Sequence, residues 1–109
     1  MTYKYLTSKN YKEEVEESNI PVIIDFYADW CMPCRMMGPV FEALSEEYEK
    51  KLKFMKLDTE NEFELASKFQ VQGIPSLLVM NKGKEVNRLV GFMPKEALKS
   101  KIDTILKDL

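Results

Sequence analysis

Residues 30 to 34, Trp30-Cys31-Met32-Pro33-Cys34, hold the only two cysteines of the 109-residue chain. They stand three positions apart, where an apolar run ending at Ala28 gives way to helical periodicity, so both can face the same way across one turn. The unpaired N–H groups and the dipole of a helix start stabilise negative charge, so a thiol placed there ionises more readily than a free one. The thiolate is the form that attacks disulfides and binds metals, so the pair is suited to dithiol–disulfide exchange. A purely structural bridge and a metal site are the other readings. A bridge across two intervening residues constrains the unfolded chain by only about 2 kcal/mol. Zinc normally takes four Cys or His ligands, and this chain has two cysteines and no histidine, which leaves a metal shared between two subunits as the remaining form. The absence of histidine also removes Ser/His and Cys/His catalytic pairs.

The elements that would position this pair follow from the hydrophobic pattern. Val22-Ile23-Ile24-Asp25-Phe26-Tyr27-Ala28 is almost continuously apolar, which predicts a central strand buried on both faces. After the cysteines, Cys34, Met37, Phe41, Leu44 and Tyr48 form one stripe with Val40 beside it, while Arg35, Glu42, Glu46 and Glu49 lie elsewhere. Cys34 thus belongs to the buried face, and Cys31, at the helix tip, is expected to stay reachable from solvent. Pro39 falls inside this helix and should bend it.

Upstream, Tyr3 to Leu6 is a short strand candidate, and Asn10 with Glu13 predicts a capping box opening a helix to about Ser18. Glu13, Glu14, Glu16 and Glu17 would be its solvated face. Downstream, Leu52 to Asp58 reads as a strand and Phe63, Leu65, Ala66 and Phe69 as a short helix. Gly73-Ile74-Pro75 breaks the chain. Ser76 to Met80 and Glu85 to Val90, joined by Asn81-Lys82-Gly83-Lys84, read as a hairpin. Beyond Gly91, Pro94 marks a last helix whose stripe is Leu98, Ile102, Ile105, Leu106 and Leu109. Alternating strands and helices followed by a hairpin and a closing helix predict an α/β fold, with a mixed sheet parallel in its first part and sandwiched by helices.

Length and charge narrow the functions. Residues 1–109 read as one domain, long enough to bury roughly 60 to 70% of its unfolded surface without staples. Sixteen basic against 18 acidic residues leave a net charge of −2, with no polybasic footprint for nucleic acid. No run approaches the roughly 20 apolar residues of a membrane span, and the N-terminus lacks the apolar core of a secretory signal. A protein of the reducing cytoplasm is expected.

Asp25 interrupts the most apolar strand. Ionised burial is costly, so either its pKa rises towards neutrality, making it a candidate base for the cysteine pair, or it sits near the strand end and reaches water or caps a neighbour. Lys56, in the third strand, reads by residue type alone as a surface charge. Pro75 reads alone as an ordinary trans turn proline.

Asp25-Phe26-Tyr27-Ala28-Asp29-Trp30-Cys31-Met32-Pro33-Cys34, then Pro39, Lys56, Asp58, Gly73-Ile74-Pro75-Ser76, Gly83 and Gly91, stand in the order and spacing of the thioredoxin family. The chain resembles that family from end to end. The resemblance implies the thioredoxin fold, with a central sheet of about five strands flanked by about four helices. It implies a protein-disulfide reductase in which Cys31 attacks a client disulfide and Cys34 resolves the mixed disulfide, leaving a Cys31–Cys34 redox bridge. A lowered Cys31 pKa is part of what is implied, thioredoxins being a known case of it.

The resemblance also places Asp25 as a buried acid beneath Cys34, with Lys56 as its partner, and makes Pro75 a cis proline against the cysteines. Trp30, Met32, Pro33, Gly73, Ile74, Pro75, Val90, Gly91 and Phe92 become an expected docking surface, with main-chain pairing to an extended client segment beside Pro75. A monomer without bound cofactor, recharged by a thioredoxin reductase and acting on disulfide-containing client proteins, completes the expectation. An oxidase or isomerase of an oxidising compartment and a non-enzymatic scaffold are the competing classes. Three positions depart from the family pattern: Met32 for the usual glycine, Tyr27 for tryptophan, and a bulky Phe92 after Gly91.

Overall fold

The computed structural model describes residues 1–109. Its five strands are β1 (Tyr3–Tyr5), β2 (Val22–Tyr27), β3 (Lys53–Asp58), β4 (Ser76–Asn81) and β5 (Lys84–Val90); its α-helices are α1 (Met32–Ser45), α2 (Phe63–Lys68) and α3 (Lys95–Lys107). A single π-helical turn, Lys12–Glu16, lies between β1 and β2. The sheet order is β1-β3-β2-β4-β5. β1, β3 and β2 run parallel, whereas β4 is antiparallel to β2 and β5 to β4. This is the mixed sheet expected, parallel in its first part, and β2 is at its centre.

Central placement explains the composition of β2. Ile23, with Phe54, Leu77 and Val79 of the neighbouring strands, packs against Met37, Phe41 and Leu44 of α1 and Leu98 and Ile102 of α3. Val22, Ile24 and Phe26 point to the other face, against Val15 of the π turn and Leu65 and Ala66 of α2. Each such side chain contributes about 1.5 to 3 kcal/mol by leaving water, and a strand covered on both sides must therefore be apolar at nearly every position. Asp25 is the exception, and it lies on the α1 face.

The β4–β5 hairpin turns through Lys82 and Gly83, at φ of 54° and 81°. Two successive residues with positive φ make the tight turn whose twist matches that of the strands, and Gly83 adopts it without steric cost.

Four local expectations are corrected. The capping box at Asn10 does not form: its Oδ1 accepts the Thr7 N–H at 2.8 Å and its Nδ2 donates to the Tyr5 carbonyl at 3.0 Å. Tyr11 stands at the cap with no side-chain bond, and only one π turn follows instead of a helix to Ser18. Glu14 is not solvated like its neighbours but half-buried between Lys53, at 3.0 Å, and Lys4, at 3.4 Å. Those ion pairs hold its carboxyl below the usual range. Tyr48 falls beyond the end of α1, although its ring is buried against Phe54 and its hydroxyl donates to Asp103. Leu109 lies past α3 and is exposed, because no element extends over it.

Candidate active site

The site is built at the C-terminal end of β2. The strand stops at Tyr27, and α1 begins at Met32 with Cys31 as its N-cap, φ −87° and ψ 113°, and Pro33 in its first turn. Proline suits that position because its missing N–H would have had no helical partner. Cys31 and Cys34 are joined as a disulfide, with Cα atoms 5.2 Å apart. The Cys34 N–H donates to Cys31 Sγ at 3.3 Å. One of the orphan donors of the helix is thus aimed at the sulfur that would carry negative charge once the bridge opens.

Both cysteines are closely covered. Cys31 is 5% exposed and Cys34 4%. The expected difference in solvent access is therefore absent in the bridged form, because the sulfurs cover one another and pack with Ala28, Tyr27 and Ile74. The two sulfurs are distinguished by the helix terminus and not by exposure.

Opposite the bridge, the Ile74–Pro75 peptide bond is cis. Cys31 Sγ lies 3.7 Å from the Ile74 carbonyl oxygen. Neither the N–H nor the C=O of Ile74 takes part in a backbone hydrogen bond, whereas the Pro75 carbonyl accepts the Gly91 N–H at 2.8 Å. That bond ties the turn carrying Val90, Gly91 and Phe92 to the proline loop.

The surrounding rim is apolar and open: Trp30 is 69% exposed, Met32 64%, Val90 60% and Phe92 38%. Pro33 and Gly73 are exposed beside them. Large apolar side chains held in water around a covered reactive centre mark a surface for protein contact.

Two rim residues were not foreseen. Phe63, one of the apolar residues that mark the short helix α2, is 69% exposed. It shares with Trp30 and Ile74 a shallow cleft that Glu60 also lines. Glu60 accepts the Trp30 indole N–H at 2.7 Å and orients the ring. A six-residue helix offers too few turns for periodicity to separate its faces, and Glu60 is a distant partner with no local signature.

Beneath α1, Asp25 is fully buried and neither carboxyl oxygen has a hydrogen-bond partner. Burial pushes its pKa from 3.8 up to about 7, with the Lys56 charge opposing and the Glu42 charge adding to the rise. The alternative that Asp25 reaches water at a strand end is excluded. Lys56 pairs with Asp25 in the strand register and is itself buried, so the surface-charge reading also fails. Its ammonium makes its ion pair with Glu42, at 2.9 Å, and not with Asp25. Burial disfavours that ammonium, but the hydrogen bond and charge of Glu42 outweigh burial and hold its pKa above the ordinary lysine value.

Tyr27, the departure from the family's tryptophan, places its ring 5.1 Å from the Lys56 ammonium, with Tyr3 on another side at 5.7 Å. Its aromatic face stabilises the cation, and its hydroxyl makes no hydrogen bond within the chain. Glu42 itself was read only as lying off the apolar stripe. Its signal was present in the spacing, since Cys34, Gly38 and Glu42 follow one another at intervals of one turn along α1.

The site thus offers a dithiol–disulfide pair at a helix start with an apolar rim around it, and an unpaired acid buried in β2, the strand that leads to it. No cluster of His, Cys, Asp or Glu with metal-ligand spacing occurs, and no helix is long and apolar enough to cross a membrane.

The Thioredoxin family model matches residues 2–104. Among similar proteins, "Thioredoxin" of Porphyra purpurea is 36% identical over 103 residues, covering 94% of this chain and 96% of that protein. "Thioredoxin" of Synechocystis sp. is 39% identical over 101 residues, covering 93% and 94%. "Thioredoxin M-type, chloroplastic" of Chlamydomonas reinhardtii is 36% identical over 96 residues, covering 88% and 69%. With the fold, the bridged CxxC pair and these relatives in agreement, the chain belongs to the thioredoxin family and is a thiol-disulfide reductase.

Proposed function

We propose that the protein reduces disulfides of client proteins with Cys31 as the attacking thiolate and Cys34 as the resolving thiol. The observation that carries this assignment is the Cys34 N–H directed at Cys31 Sγ from the start of α1. In the first step the Cys31 thiolate attacks one sulfur of the client disulfide, forming a mixed disulfide and releasing the other client sulfur as a thiolate that takes a proton from water. In the second step Cys34 loses its proton, attacks Cys31 Sγ and releases the second client sulfur as a thiolate. The client gains two electrons and the protein is left with the Cys31–Cys34 bridge.

Asp25 receives the Cys34 proton. A buried acid with a pKa near 7 is matched to that task at neutral pH, where a carboxylate of ordinary basicity would be a poor acceptor. The client lies along the cis-proline loop, pairing its main chain with the free N–H and C=O of Ile74, and its side chains rest on Trp30, Met32, Pro33, Val90 and Phe92. Gly73 and Gly91 leave room for its backbone.

Reduction of the bridge falls to a thioredoxin reductase, and the protein works as a monomer in the reducing cytoplasm, where glutathione-poised conditions keep most client thiols reduced. Insulin reduction with dithiothreitol as donor tests the reading. Cys31→Ser should fall to the uncatalysed rate, and Cys34→Ser should accumulate a mixed disulfide through Cys31. Equal rates for wild type and Cys31→Ser would overturn it.

A further inference from the structure

The charged groups under α1 are arranged in an order that the cysteine chemistry alone does not require. Asp25 and Lys56 occupy opposite positions on β2 and β3, the usual placement for a buried ion pair, yet Lys56 Nζ is 2.9 Å from Glu42 Oε2 and Asp25 has no partner. Glu42 lies two turns beyond Cys34 on α1. Gly38, midway between them, carries no side chain, and a Cβ there would sit 3.7 Å from Lys56 Nζ and 3.9 Å from Glu42 Oε2. A cavity of about 290 Å³ opens along this face, lined among others by Cys34, Arg35, Gly38, Glu42 and Lys56. The Glu42 side chain is 36% exposed at its edge and that of Lys56 10%.

We propose that Glu42 is a positioning residue of the thiol–disulfide reaction: its carboxylate holds the Lys56 ammonium towards the cavity and so withholds from Asp25 the counter-charge that the strand register brings beside it. The inference rests on the reading of Asp25 as the proton acceptor for Cys34 and deepens it.

The physical reason is competition for one cation. A flexible lysine takes the partner that satisfies its hydrogen bonds with least desolvation, and a half-exposed carboxylate keeps part of its hydration when paired. Asp25, fully buried, would have to ionise without water. With Lys56 engaged by Glu42, Asp25 has no ion-pair partner and its basicity stays in the neutral range, so that its ionised form is a strong enough base to take the proton Cys34 gives up. Freed from Glu42, Lys56 would turn to Asp25 and favour its carboxylate, making it a weaker base. The other ionisable groups around Asp25 are Tyr27 on its own strand, Tyr5 on β1, Asp58 on β3, and Asp29, Arg35 and Cys34 around the start of α1; β4 presents the apolar Leu77. None of them hydrogen-bonds Asp25 or Lys56.

The test is the titration of the Asp25 carboxyl, followed by carbon NMR in the oxidised protein, with the pH profile of client reduction measured alongside. In Glu42→Gln the Asp25 midpoint should fall by about one pH unit, the size expected when a cation comes within ion-pair distance. Glu42→Asp, which keeps the charge, should return most of that fall. In a Lys56→Met background the midpoint should rise, and Glu42→Gln should then move it by less than half as much. An Asp25 midpoint that stays within about 0.2 pH unit in Glu42→Gln would overturn the inference, leaving the pair as a tie between α1 and β3, and so would an equal fall in both backgrounds. Should the midpoint fall as stated while the pH profile of client reduction does not follow it, the positioning by Glu42 stands and the role of Asp25 as acceptor fails.

Discussion

Asp25 and Lys56 face each other across adjacent parallel strands but form no ion pair, because the lysine is engaged by Glu42. The result is an acid that is buried, without a hydrogen-bond partner and raised to about 7.

Such an acid makes stability depend on pH in a definite direction. The folded protein retains the Asp25 proton up to about pH 7, whereas the unfolded chain releases it near 3.8. Between those values the folded state binds more protons, so this group's contribution to stability falls as pH rises and levels off above the folded pKa. Asp25→Asn should remove that slope. The variant should gain stability relative to wild type between pH 5 and pH 8 by on the order of 2 kcal/mol, read from urea unfolding at the two pH values. A wild-type minus variant difference independent of pH would contradict the burial argument.

The exposed rim predicts a separation of docking from chemistry. Val90 and Trp30 lie in water around a covered bridge. Truncating either to alanine should reduce kcat/KM for insulin by about tenfold, the usual cost of losing one well-placed apolar contact. The loss for a small aromatic disulfide should be several times smaller. Equal losses on both substrates would mean that these side chains support the bridge itself.

The hairpin turn offers a test of backbone conformation. At Gly83, φ is 81°, and a Cβ there would find no atom nearer than 3.7 Å, so the cost of Gly83→Ala is conformational and not steric crowding. It should amount to about 1 kcal/mol in urea unfolding, with reductase activity retained. Lys82, at φ 54°, should gain a few tenths of a kcal/mol when replaced by asparagine, which tolerates that region better.

Phe41 of α1 and Phe54 of β3 pack with ring centroids 4.8 Å apart and planes inclined at 55°, both fully buried. Phe41→Ala should cost about 3 to 5 kcal/mol in denaturant unfolding. Because this contact presses α1 onto the sheet, the variant should also lose part of the Lys56–Glu42 constraint. A loss below about 1 kcal/mol would show that α1 can collapse onto the sheet without it.

Much of this protein was determined by short stretches of sequence. A continuous apolar run specifies a strand covered on both faces, the glycine-containing stretch Asn81-Lys82-Gly83-Lys84 specifies the hairpin, and two cysteines three apart at a strand-to-helix junction specify which sulfur meets the helix start. Each of these rests on backbone geometry within a few residues, so local reading suffices. The tertiary structure alone decided which partner each polar group would find. Asn10 bonds to Thr7 and Tyr5 in place of capping a helix, Phe63 turns outward beside Trp30, and the two cysteines are equally covered once bridged. Lys56 chooses Glu42, fourteen residues away, over the strand neighbour that the register supplies. Charges and hydrogen bonds act over a few ångströms in any direction, and which groups come that close depends on how helices pack on the sheet.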